Sequence, residues 1–185
     1  MFVTRSLAFG ATLLAAAAIQ VAADPPMAAG ARDGLGLAEA AARSWAPDAA
    51  LVYLENDEDL DATGRSPRWG YLFHSATNDR ARAYSVREGK IRHAEDVEVR
   101  LSAPPLTDSW IDSDRAFAAA EEKVGRKYCE ALGGQVTAML LVRGALHPSE
   151  PERATWTVVY RADGAPSLFV LVDAASGDVV RTWRG

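Results

Sequence analysis

The sequence has little cysteine and no surplus of positive charge. Cys129 is the single cysteine among 185 residues, which excludes an intramolecular disulfide framework and a cysteine-rich zinc site. With 20 Lys+Arg against 25 Asp+Glu, the formal net charge is −5. This balance argues against a protein that mainly binds nucleic acid, because phosphate binding needs a basic surface. No His-Glu-x-x-His sequence occurs, so the chain has no zinc-protease signature of its own.

The beginning of the chain has the layout of a secretory leader. Arg5 precedes an apolar run over residues 7–18, and small residues follow up to Ala23. We therefore expect cleavage after Ala23 and a periplasmic or secreted protein without a membrane anchor. No cysteine lies near this point, so a lipid anchor is not expected. An uncleaved anchor helix is the alternative, at the short end of the length that spans a bilayer.

Behind the leader, one order of predicted elements occurs twice. A helix, a strand, a polar loop, a strand that begins with tryptophan and two more strands recur, so that Trp69 aligns with Trp156 and Phe73 with Tyr160. The repeat predicts an α+β fold of two units, each with one helix packed on a small antiparallel β-sheet. The predicted division is a signal peptide (1–23), a flexible lead-in (24–36), unit 1 (37–103), a linker (104–112) and unit 2 (113–185).

The second half carries a pattern that points to a family. A tryptophan-led strand at 156–160 is followed by an apolar strand at 168–173 that ends in Asp-Ala, and then by Gly177 and Val179. This pattern resembles the C-terminal signature of PepSY domains, and the upstream helix at 114–132 also fits. The resemblance implies the PepSY or cystatin-like unit of one helix on a curled antiparallel sheet. It is specific for packing and turns rather than for chemistry.

The resemblance also implies a function. PepSY domains occur in the propeptides of thermolysin-like metalloproteases and in envelope proteins thought to restrain peptidases. We therefore expect an exported, non-catalytic binding module without a cofactor, which modulates or inhibits a secreted or envelope peptidase or takes up an extended peptide. A structural or small-ligand-carrying envelope protein, dimeric or not, is the alternative. An enclosed cavity with converging polar groups would favour that alternative.

The strands of the second half supply the candidate binding surface. Both faces of these strands are apolar, and one helix can cover only one face. The other face must meet the first unit, a second chain or a ligand. The residues proposed for this surface are Met139, Leu141, Phe169 and Leu171. A free strand edge is a second possible contact for an extended peptide.

An acidic loop offers a weak calcium candidate. Asp57, Asp59 and Asp61 have the alternate spacing that lets carboxylates converge on a calcium ion. The loop departs from an EF-hand, because Ala62 replaces the turn glycine and Arg68 replaces the bidentate glutamate. A solvated acidic loop without an ion is the alternative.

Catalytic chemistry has little support in the sequence. An enzyme would need Cys129 close to His147, or Asp57 close to His74, and no local motif surrounds either pair. A structural thiol and a disulfide between two chains remain the alternatives for Cys129. We therefore predict no catalytic residues and no enzyme activity.

Overall fold

The structure is a computed structural model that describes residues 27–98, 104–144, 150 and 152–185. The predicted leader at 1–23 lies outside the described residues. In the described part of the chain, no helix is long and apolar enough to cross a membrane.

The elements follow one another in a regular order. They are α1 (Leu35–Trp45), β1 (Ala50–Asn56), β2 (Arg68–Ser75), β3 (Arg80–Arg87), β4 (Lys90–Val97), α2 (Ser113–Ala120), a π-helical turn (Glu121–Gly125), α3 (Arg126–Leu132), β5 (Gln135–Arg143), β6 (Ala154–Ala162), β7 (Ala165–Asp173) and β8 (Val179–Arg184). The stretch from α2 to α3 is continuous, so the chain has two helical segments in its described part.

The eight strands of the described residues form one antiparallel sheet in the order β4-β3-β2-β1-β5-β6-β7-β8. The prediction of two repeated units, each with one helix on its own small sheet, is therefore wrong. The reason is the pairing of β1 with β5, in which Leu54 lies opposite Leu141. An antiparallel pair of this kind satisfies backbone groups that two separate small sheets would leave at exposed edges.

One core beneath the helices joins the two ends of the sheet. The rings of Trp69 and Trp156 meet edge to face with centroids 6.2 Å apart, and Trp110 meets Trp156 in the same way at 5.9 Å. Each buried indole N–H also needs an acceptor. Trp69 donates to the Ala29 carbonyl and Trp156 to the Ile111 carbonyl, both at 2.9 Å. The tryptophans thus hold the chain segments that lead into the helices.

The segment predicted as a linker, 104–112, is part of this core. Trp110 is buried, and the Arg32 guanidinium lies 3.9 Å from the centre of its ring. Arg32 also donates hydrogen bonds to the carbonyls of Asp108 and Trp110. The backbone N–H of Leu106 donates to the Leu51 carbonyl at 2.7 Å. The described part of the lead-in and the segment between the two halves therefore pack on each other.

Side-chain alternation assigns the two faces of the sheet. On β2, Trp69, Tyr71 and Phe73 are buried towards the helices, so Gly70 and Leu72 point to the opposite side. The same alternation holds on β6, where Trp156 and Val158 belong to the core beneath the helices. Both helical segments contact the sheet through this one core.

Candidate functional site

The candidate site is the face of the sheet opposite the helices, which we call the open face. No helix of the described residues packs on it. Strand register shows which side chains share it: Gly70 lies opposite Glu55, Glu55 opposite Leu140, Leu140 opposite Thr157, and Thr157 opposite Leu171. This row crosses both halves of the sheet, and its character changes from polar to apolar between β1 and β5.

The half of the open face on β5–β8 is an apolar patch. We define this patch as Ala138, Leu140, Thr157, Val159, Phe169 and Leu171. At its outer end, the rings of Phe169 and Trp183 stack with centroids 5.1 Å apart. Ala138, Leu140 and Phe169 are partly exposed, whereas Thr157, Val159 and Leu171 are buried. The partly exposed apolar groups are the ones that would be stabilised by leaving water.

The centre of the apolar patch contains one unsatisfied polar group. Thr157 is 3% exposed, and its hydroxyl has no hydrogen-bond partner among the described residues. Its neighbour Leu171 is 1% exposed. A buried hydroxyl without a partner is destabilising, because no hydrogen bond replaces the ones that it made with water.

The half of the open face on β1–β4 contains a groove of about 450 Å³. Its floor is low because Gly70, Ala83 and Ser85 are small. The polar side chains around it are Tyr53, Glu55, Asp57, Arg68, His93 and Glu95. The groove lies open on a sheet face and is not an enclosed chamber.

A relay of hydrogen bonds fixes one end of the groove. Arg68 Nε donates to Ser85 Oγ, and Ser85 Oγ donates to Asp57 Oδ2. Arg68 Nε also lies 3.5 Å from Asp57 Oδ2. Gly70 makes room for this arrangement, because a Cβ at that position would lie 2.6 Å from Asp57 Oδ1. The charge of Asp57 is therefore neutralised within the protein.

Two further carboxylates stand on opposite walls of the groove. Tyr53 Oη donates to Glu55 Oε2 at 2.6 Å, and burial together with Glu55 raises the pKa of Tyr53 above its usual range. On β4, His93 Nε2 lies 3.0 Å from Glu95 Oε2. With Asp57 paired to Arg68, the groove keeps an excess of negative charge from Glu55 and Glu95.

The structure divides the predicted binding surface between the two faces. Phe169 and Leu171 lie on the side of the open face, where Phe169 is partly exposed and Leu171 is buried, whereas Met139 and Leu141 are fully buried beneath the helices. Leu141 lies opposite Trp156 in the ladder and so shares its side of the sheet. The open-face residues of β5 are the alternate ones, including Leu140. Contact of Phe169 and Leu171 with a partner stays a prediction.

The structure gives the three loop aspartates separate surroundings. Asp57 pairs with Arg68, and Asp61 Oδ1 accepts hydrogen bonds from Thr63 and from the Arg65 backbone N–H. Partial burial tends to raise the pKa of Asp61, but these hydrogen bonds outweigh it and lower the pKa. Asp59 is exposed. Within the described ranges, no group of three or more His, Cys, Asp or Glu side chains is arranged to hold a metal ion.

The residues considered for catalysis are not brought together where the structure describes them. His74 Nε2 lies 3.7 Å from Asp79 Oδ1, while Asp57 contacts Ser85 and Arg68. Cys129 is half-buried on α3, where burial, followed by Glu121 and Glu130, raises the pKa of its thiol. A raised pKa lowers the thiolate fraction and hence the reactivity. His147 lies outside the described residues.

Sequence reasoning missed Thr157 and the groove around Gly70. Strand alternation could have identified both. Gly70 directly follows Trp69 and Thr157 directly follows Trp156, so each lies on the side of the sheet opposite its buried tryptophan and away from the helices. Ser85 and Glu95 carry no comparable signal. Their position depends on the register of β3 and β4, which brings Ala83 opposite Glu95.

Comparisons with known proteins identify a fold neighbour. No family model matches the chain, and no curated protein matches it. Among solved structures, the chain is similar to a protein of Clostridium difficile 630 described as a “putative lipoprotein”, with a TM-score of 0.55 and 12% identity. The match covers 82% of this chain and 93% of that chain. At this identity the likeness shows the fold alone, and the PepSY resemblance stays a prediction.

Proposed function

We propose that this protein is an exported, non-catalytic binding module that holds a protein partner on its open face. The observation that carries the proposal is the partly exposed part of the apolar patch, Ala138, Leu140 and Phe169, which lies on the side of the sheet away from both helical segments.

The class of partner is a secreted or envelope peptidase, whose activity the module lowers or modulates. Support comes from the PepSY-like sequence at 156–179 and from the leader layout of the first 23 residues. The similar solved structure is named as a lipoprotein, which is consistent with an envelope location for this protein. The sheet face is a better contact than the sheet edges. The edge strand β4 carries charges such as Arg92 and Asp96, which disfavour the addition of a strand.

A capture experiment tests the proposal. The exported protein, with its thiol blocked, is used as bait against envelope and culture-supernatant fractions, beside a Leu140→Lys variant. Leu37→Lys is the matched control, because Leu37 is an exposed leucine on α1. Circular dichroism establishes that each bait is folded.

We expect a peptidase to be retained by the native bait and by Leu37→Lys but not by Leu140→Lys, and its activity to fall when native bait is added. Equal retention by all three baits would show that the partner does not bind at the open face. A retained protein without peptidase activity would remove the peptidase as the partner.

A second candidate function is the transport of a small ligand. The groove above Gly70 favours it, since polar groups from β1, β2 and β4 surround a volume of about 450 Å³. The open shape of the groove weighs against it, because small-molecule sites bury most of their ligand. Mass spectrometry of the exported protein under native conditions would detect a bound small molecule.

A further inference from the structure

We infer that the edge strand β8 binds an extended acidic segment of a partner polypeptide, which adds to the sheet as a further antiparallel strand. This site is separate from the open face, so it goes beyond the proposed function and does not depend on a peptidase. Unpaired backbone groups, basic side chains and a cavity meet there at Thr182 and Arg184.

The backbone of β8 offers hydrogen-bond donors and acceptors to an added strand. Ser167 and Gly185 exchange two backbone hydrogen bonds, at 2.9 Å and 3.1 Å. Because such pairs alternate along an antiparallel ladder, the register of β7 and β8 turns the N–H and C=O of Thr182 and Arg184 away from β7. No strand of the described residues pairs with this side of β8. The two residues therefore present backbone groups in the pattern that an antiparallel strand satisfies.

The side chains of the same two residues border a basic cavity. Thr182 lies opposite Val170 and Arg184 opposite Leu168, and both partners belong to the core beneath the helices. Residues directly opposite each other share a face of the sheet, so Thr182 and Arg184 lie on the helix side. There they line a cavity of about 340 Å³ together with Lys127 of α3. Its described lining has two cations and no carboxylate.

The arginines of β8 have no described counter-ion. The Arg184 guanidinium lies 4.8 Å from the centre of the Tyr128 ring, and the Arg181 guanidinium lies 5.2 Å from the centre of the Trp183 ring. Neither arginine forms an ion pair with a described carboxylate. Both are exposed. The aromatic rings thus help to position two charges that an acidic segment could neutralise.

The two edges of the sheet differ in this respect. At the β4 edge, Asp96 already pairs with Arg80 and Arg82 of the neighbouring strand. The sequence of β8 has two arginines and no acidic residue. Charge complementarity therefore favours an acidic strand at β8 and gives no such preference at β4.

The alternation of β8 predicts the pattern of the added segment. Residues opposite Thr182 and Arg184 would point to the helix side, where a glutamate or aspartate can reach Lys127 and Arg184. The residue between them would point to the other side, beside the half-buried Trp183 ring, where an apolar side chain is favoured. The expected pattern is acidic-apolar-acidic. A second copy of β8 does not fit, because the pair would bring four arginines together.

Titration with short peptides tests the inference. The probe is the acetylated, amidated peptide Ser-Glu-Val-Glu-Ser, added at up to millimolar concentration to 15N-labelled exported protein and followed by NMR. We expect the amide signals of Thr182 and Arg184 to shift with one dissociation constant. Replacing both glutamates with glutamine should raise this constant about fivefold, the weakening expected when exposed charge contacts are lost. Added salt should weaken the glutamate peptide more than the glutamine peptide.

Methylation of single backbone nitrogens in the peptide distinguishes strand addition from charge attraction alone. In the added strand, the N–H of each glutamate points to β8, whereas the N–H of the valine points away. N-methylation of the glutamate after the valine should abolish the shifts. N-methylation of the valine, which restricts the peptide in the same way, should leave them in place.

Variants of the protein test the same two contributions. Thr182→Pro removes an outward N–H that has no partner on β7, which an edge strand tolerates, and should abolish the shifts. Lys127→Gln/Arg184→Gln should bind the glutamate and glutamine peptides equally. Arg43→Gln/Lys90→Gln removes the same charge from exposed positions on α1 and β4 and should leave the preference for glutamate unchanged. Circular dichroism establishes that each variant is folded.

Three results would overturn the inference. One is equal binding of the glutamate and glutamine peptides to the native protein. Another is equal weakening by methylation at glutamate and at valine, which would make the cavity a site for a free carboxylate. A third is self-association of the protein that the peptide reverses, detected by sedimentation, which would make a second copy the occupant. The Leu140→Lys variant should bind the peptide like the native protein, so this test and the capture experiment can fail separately.

Discussion

The two halves of the open face belong to the same sheet, but they differ in whether their buried or half-buried hydroxyl groups are hydrogen-bonded. On β1–β4 the hydroxyl of Ser85 accepts from Arg68 and donates to Asp57. On β5–β8 the hydroxyl of Thr157 has no described partner and lies beside Leu171. The polar groups of the first half are therefore paired within the protein, whereas the second half contains a buried hydroxyl without a described partner.

The largest predicted difference between the two halves is in how much an introduced charge lowers the free energy of unfolding. Leu171→Asp places a carboxylate where the native side chain is 1% exposed, and we expect it to lower the free energy of unfolding by about 3–5 kcal/mol. Leu72→Asp makes the same change in the half-buried groove, where we expect a loss of about 1 kcal/mol. Urea denaturation of both variants measures the two values. Equal losses would show that the halves do not differ in burial.

Removal of one hydroxyl from each half should have effects of opposite sign. Ser85→Ala breaks the relay between Arg68 and Asp57, and we expect a loss of about 1–2 kcal/mol in the free energy of unfolding. Thr157→Val removes an unsatisfied buried group and should raise that free energy by up to about 1 kcal/mol. Thermal and urea unfolding can be compared for the pair. A destabilised Thr157→Val variant would mean that its hydroxyl is already satisfied in the native protein.

The smallest effect concerns two aspartates that close turns, one in each half. Asp48 accepts from Ser75 Oγ at 2.7 Å and from the Thr77 N–H at 2.8 Å, and these bonds lower its pKa to about 2. Asp173 is partly desolvated, but hydrogen bonds from Ser176 and Ala175 and the charge of Arg153 lower its pKa.

A depressed pKa stabilises the fold above the pKa of the unfolded chain, which is about 3.9 for aspartate, and this contribution is lost as pH falls through the folded value. Asp48→Asn should therefore be less stable than the native protein at pH 5, and the difference should vanish towards pH 2. Asp173→Asn should show the same direction of change. Urea midpoints between pH 2 and pH 5 measure both, with exposed Asp59→Asn as control. A difference that persists at pH 2 would contradict the explanation.

The local elements were predictable, but the way they assemble was not. The sequence predicted an apolar strand at 168–173, and β7 covers Ala165–Asp173. The pairing of β5 with β1 has no local signal, because both strands carry apolar residues on both faces and would have the same pattern in one sheet or in two. The repeat assigned Trp69 and Trp156 to two separate units, but they contact each other in one core.

Only part of the candidate site was predicted, again because strand register has no local signal in the sequence. The sequence placed Phe169 and Leu171 on one face, as the structure does, but it joined them with Met139 and Leu141. Which apolar face of β5 meets the helices is decided by its register with β6, where Leu141 lies opposite Trp156. The spacing of the acidic loop likewise gave no sign that Asp57 would meet Arg68 from the neighbouring strand.

The most direct test of the open face as the docking surface is photo-crosslinking in the living envelope. The photoreactive phenylalanine analogue p-benzoylphenylalanine replaces Phe169, which is aromatic already and stacks on Trp183. In a matched strain it replaces Leu132, an exposed leucine on α3. The account predicts a crosslinked partner from position 169 and none from position 132. A partner crosslinked from position 132 alone would contradict it.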